Sequence, residues 1–62
     1  MTTDEARRIA AAVRALLREA ILALSVPRPA WWRAAKAFAW AATLCMELVR
    51  DCRREAGHGG RG

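Results

Sequence analysis

Glycine and proline are scarce in this 62-residue chain, and their placement is informative. All four glycines fall in the last six residues, and the two prolines are Pro27 and Pro29. No helix breaker interrupts residues 2–26 or 30–56, so long uninterrupted helices are allowed and a turn-rich β fold is disfavoured. Tyrosine is absent, and four aromatic residues remain: Trp31, Trp32, Trp40 and Phe38. One histidine, His58, stands among the terminal glycines, where nothing fixes it as a general base. There is no serine–histidine–aspartate set, no glycine loop at a helix start to cradle phosphate, and no inward pair of carboxylates. A non-enzymatic protein without cofactor or metal is the expectation.

Cys45 and Cys52 are the only cysteines. Seven helical residues separate their backbones by about 10.5 Å, too far for a disulfide within one helix. Buried core residues are the preferred reading. An interchain bridge and a metal site are the alternatives, and two thiols with one distant histidine make a poor metal site.

Long apolar runs are also missing. A membrane span needs about 20 largely apolar residues. Here Arg14, Arg18 and Glu19 interrupt the first apolar segment, and Arg33 and Lys36 the second. Asp4 and Glu5 stand where a secretory signal would be positive. A soluble cytoplasmic protein is therefore expected.

What is present is alanine and arginine. Hydrophobic residues make up 55% of the chain, too many for a disordered tail, and alanine is the strongest helix former among them. The formal net charge is +5, and Lys36 is the single lysine among eleven cations. Such a balance suits an anionic partner, nucleic acid or a membrane surface, or it reflects codon bias alone.

The pattern reads as an all-α antiparallel two-helix hairpin over residues 1–56. Helix 1 is expected over about 3–25, a turn over 26–29, helix 2 over about 30–56, and a flexible glycine-rich tail over 57–62. Thr2 and Glu5 fit a capping box. Ala6, Ile9, Val13, Leu16, Leu17, Ala20 and Leu24 recur at three- and four-residue spacing, which puts them on one face. Pro27 and Pro29 disfavour helix at Val26 and Arg28, and Pro29 suits a first helical position. In helix 2 a seven-residue beat of Trp31, Phe38, Cys45 and Cys52 marks the expected seam, and Gly57 the expected stop. The expected core is Ile9, Val13, Leu16, Ala20, Phe38, Cys45 and Val49.

One hairpin gives each helix a single neighbour, so apolar surface is left over. Near the turn Ile21, Leu22, Leu24, Val26, Trp31 and Trp32 surround the chain. Self-association into a four-helix bundle is the expected remedy. Arg33, Lys36, Trp40 and Leu44 fall opposite the expected seam and form the candidate partner face, with Trp40 as its anchor. Arg7, Arg14 and Arg18 with Arg50, Arg53 and Arg54 are the candidate anion-binding residues. They do not interleave with the aromatics as single-strand readers do. A peripheral membrane role, with the apolar turn dipping into lipid, is the third reading. In size and layout the chain resembles the plasmid-encoded RNA-binding repressors of primer, hairpins that dimerise into four-helix bundles. Those proteins are acidic, this one is basic, and no motif is shared.

Overall fold

The computed structural model describes residues 2–60, with side chains described through Gly57. Helix α1 spans Thr3–Leu24 and helix α2 spans Trp31–Gly60, and the two pack against each other.

Helix α1 begins where the capping signal lies. Thr2 is extended (φ −85°, ψ 161°), and its hydroxyl accepts from the Glu5 amide at 3.1 Å. Its carbonyl accepts from Ala6 at 3.0 Å. Asp4 and Glu5 place negative charge at the positive end of the helix dipole.

The other end of α1 closes without glycine. The last four carbonyls of a helix have no partner within it. Here the Ser25 hydroxyl donates to the Ile21 carbonyl at 2.6 Å, and the Ser25 amide donates to Leu22 at 3.2 Å. The Ala30 amide then reaches back to the Ala23 carbonyl at 2.9 Å. Three of the four orphan carbonyls are satisfied, and the last of these bonds ties the start of α2 to the end of α1. Because the Ala30 carbonyl also accepts from Ala34 at 3.0 Å, Ala30 caps α2 and Pro29 precedes the cap. Pro29 is thus not the first helical residue. No acidic residue stands in the first turn of α2.

Gly57 does not stop α2. No described glycine has a positive φ, so the left-handed conformation that ends a helix at glycine is not adopted, and the helix runs to Gly60. The expected loose tail over 57–60 is corrected accordingly. The side chain of His58, and Arg61 and Gly62 altogether, lie outside the described residues.

The seam differs from expectation mainly on α2; on α1 Leu17 and Leu24, expected on the same face, are exposed and Ala23 is buried in their place. On α1, Val13, Ala20 and Ala23 are buried, and Ala6, Ile9 and Leu16 are half-buried, all at alternating three- and four-residue spacing. On α2 the buried residues are Ala34, Ala37 and Ala41, continued by half-buried Leu44, Leu48 and Asp51 in the same rhythm. Phe38, Cys45 and Val49, expected in the core, are exposed. The cause is the turn. Its Ala23–Ala30 bond brings the helices together at one end, where small side chains are what close backbone approach admits. The fully buried set is five alanines and Val13, and no large side chain is fully buried among the described residues.

Candidate interaction surface

An alanine seam turns the bulky side chains outward, and helical spacing sorts them into flanks. Leu16 and Glu19 of α1 and Trp32, Arg33, Lys36 and Ala37 of α2 line one groove of about 340 Å³, which marks one flank of the hairpin. On α2 this flank continues through Trp40, Glu47, Arg50 and Arg54 at the same spacing. Its charges are of both signs.

The opposite flank is apolar. On α2 it carries Trp31, Ala35, Phe38, Ala42, Cys45, Val49 and Cys52, at four- and three-residue spacing and without a charge. On α1 it carries Leu17, Ile21 and Leu24 toward the turn and Arg7 and Arg14 toward the open end. A groove of about 510 Å³ runs along α1 here, lined by Val13, Leu17 and Ile21 together with Arg14 and Arg18. Trp31 is 70% exposed and Phe38 43% exposed, so most of their surface meets water in the lone hairpin.

A third feature is the tip. Ile21, Leu22 and Leu24 in the last turn of α1, Val26 in the loop, and Trp31 and Trp32 in the first turn of α2 are all exposed. Leu22 belongs to the charged flank and Trp32 lines its groove, whereas Ile21, Leu24 and Trp31 lie on the apolar flank, so this apolar collar is not confined to one side.

The candidate partner residues divide. Arg33, Lys36 and Trp40 are exposed on the charged flank, but Leu44 is half-buried seven residues beyond buried Ala37 and belongs to the seam. The candidate anion-binding residues do not converge. Arg7, Arg14 and Arg18 edge the apolar flank, Arg14 and Arg18 lining its groove, Arg50 and Arg54 lie on the charged one, and Arg53 falls on the outer side of α2. Cys45 and Cys52 are free thiols on the apolar flank, where sequence reading had put the seam itself. Among the described residues no three metal-ligating side chains gather.

No family model matches the chain, and no curated protein or solved structure is significantly similar to it.

Proposed function

We propose that this chain is a helical assembly module, in which two hairpins pack through the apolar flank of Phe38, Trp31, Val49, Leu17 and Ile21 into a four-helix bundle. The charged flank with Arg33, Lys36 and Trp40 is then left outward for a second partner. One observation carries the reading: the hairpin buries five alanines and a valine and leaves its leucines, tryptophans and phenylalanine partly or wholly in water. A core of methyl groups is too small to stabilise a chain of this length, for which oligomerisation is a standard supplement.

The distribution along the flank also favours a direction. Of the six large apolar residues exposed on this flank among those described, Leu17, Ile21, Leu24, Trp31 and Phe38 lie around the turn and Val49 alone lies toward the open end. Pairing with both turns at the same end sets Leu17, Ile21 and Leu24 of one copy against Trp31 and Phe38 of the other. The reversed arrangement would set them against Arg7 and Arg14.

Light scattering across protein concentration and salt tests the proposal. The expected mass is twice the 6.8 kDa of one chain, and insensitive to salt. A cooperatively folded single copy at micromolar concentration would overturn it. Retention on a polyanion column, weakening steeply with salt, would instead support the nucleic-acid reading, for which the divergent arginines offer no single surface.

A further inference from the structure

We infer that the turn end of the hairpin enters the interface of an anionic lipid bilayer. The proposal goes beyond self-association and stands on different residues. A second copy on the apolar flank reaches Ile21, Leu24 and Trp31 but leaves Leu22, Val26 and Trp32 uncovered. Leu22 is 62% exposed and Trp32 82%, on sides of the tip that face away from that flank. A second copy on one flank and a partner on the other would still leave Val26, at the end of the tip, in water, whereas a lipid interface takes up Val26, Leu22 and Trp32 together.

Depth agrees. The helical part of the collar, the last turn of α1 beside the first turn of α2, extends roughly 6 Å along the helix axes, and the loop with Val26 lies beyond it. Side chains of interfacial helices sink about 5–10 Å into the headgroup–acyl boundary. Neither helix is long and apolar enough to cross a membrane, which leaves interfacial entry as the mode. Two adjacent indoles suit that depth, since tryptophan places an apolar body and a polar N–H across the boundary.

Charge selects the lipid. No aspartate or glutamate occurs between Glu19 and Glu47, and the cations in that stretch are Arg28, Arg33 and Lys36. The first turn of α2 has no acidic residue to offset the positive end of its dipole. Arg28, between the prolines, can lay its stem along the apolar collar while its guanidinium rises to the phosphates. Arg33 and Lys36 sit higher, within and one turn beyond the first turn of α2, at headgroup level.

Flotation of the full chain with phosphatidylcholine vesicles, with and without phosphatidylserine, tests this. The expected result is co-flotation with the phosphatidylserine vesicles, a blue shift of tryptophan emission, and loss of binding as salt rises. Leu22→Ser combined with Trp32→Asp should weaken binding at least tenfold with helicity and mass unchanged. Val26→Asp, outside both helices, should do the same without touching either. No flotation on phosphatidylserine vesicles, or flotation undiminished in both variants, overturns the proposal. Equal flotation on the neutral vesicles overturns its choice of lipid. Because these variants lie off the dimer flank, a change of mass in either would count against the proposed dimer face, whereas loss or persistence of flotation decides the tip.

Discussion

Replacing Phe38 by aspartate separates a face that is merely exposed from one that is covered by a second copy. In the lone hairpin Phe38 is 43% exposed and touches solvent over much of its ring. Burying a large apolar side chain completely contributes about 1.5–3 kcal/mol, so the part left for a partner is worth about 1 kcal/mol. An unpaired carboxylate held in the interface adds a desolvation cost of several kcal/mol per ion. Both copies carry the change, so the pair loses at least about 4 kcal/mol. At 1.4 kcal/mol per tenfold, that weakens association roughly a thousandfold. A surface substitution in a hairpin that stands alone would shift stability by only about 0.5 kcal/mol. Val49→Asp, on the same flank, should act alike. Met46→Asp supplies the control: Met46 is 72% exposed, more than Phe38, but lies toward the groove of Thr43, Glu47 and Arg50 on the other side. Sedimentation equilibrium on the three variants reads the outcome. If Phe38→Asp keeps the wild-type mass, or if Met46→Asp dissociates just as readily, the apolar flank is not the interface.

Other substitutions probe the remaining steps. Ala41, 3% exposed at the seam, should not accept leucine: Ala41→Leu is expected to lower stability by about 1–3 kcal/mol, read from the thermal midpoint. Ser25→Cys, in a chain whose Cys45 and Cys52 are serine, should be joined to its copy by a short thiol cross-linker if the turns share one end; the absence of a cross-linked pair would support the reversed bundle. Gly57→Ala should raise stability by up to about 1 kcal/mol in urea unfolding, because the added Cβ meets nothing within 4 Å and φ is not positive. A left-handed stop at Gly57 would give the opposite sign.

Helix α1 was legible because its sequence offers one apolar rhythm and one cap. Ile9, Val13, Leu16 and Ala20 fall on the seam, and Thr2 binds the Glu5 amide as its spacing implied. Helix α2 offers two rhythms side by side. The beat of Trp31, Phe38, Cys45 and Cys52 is bulkier, and the beat of Ala34, Ala41 and Leu48 is the one that faces α1. Nothing within α2 chooses between them. The choice is made by the turn, whose Ala23–Ala30 bond fixes the rotation and closeness with which α2 returns along α1. Leu44 was assigned to the partner face by the same phase error, since rotating the seam from Phe38 to Ala37 moves Leu44 inward. The end of α2 was misjudged for a different reason. Glycine permits a left-handed stop but does not impose one, and Gly57 keeps helical dihedrals.

The alanine seam therefore has two consequences of opposite sign. Small side chains let the backbones approach, and the hydrogen bonds of Ser25 and Ala30 hold the turn without glycine. The same smallness limits what the seam can remove from water, since each buried methyl is worth only about 0.8 kcal/mol. The large apolar side chains that do not share the seam with Ile9, Leu16, Leu44 and Leu48 are left outside, and their position in the helical repeat decides where they go. Positions flanking the seam give the stripe from Trp31 to Cys52. Positions at the helix ends give the collar from Ile21 to Trp32. A hairpin with large side chains at Ala20, Ala34, Ala37 and Ala41 as well would have put more of its apolar surface into its own core. Exchanging Ala37 for Phe38 by a double substitution, Ala37→Phe with Phe38→Ala, carries that reasoning to a test. It keeps composition and length, moves the ring to the seam, and should trade association for overpacking. The expected outcome is a smaller assembly with a lower thermal midpoint. Unchanged mass would mean that the ring's place in the repeat does not govern assembly.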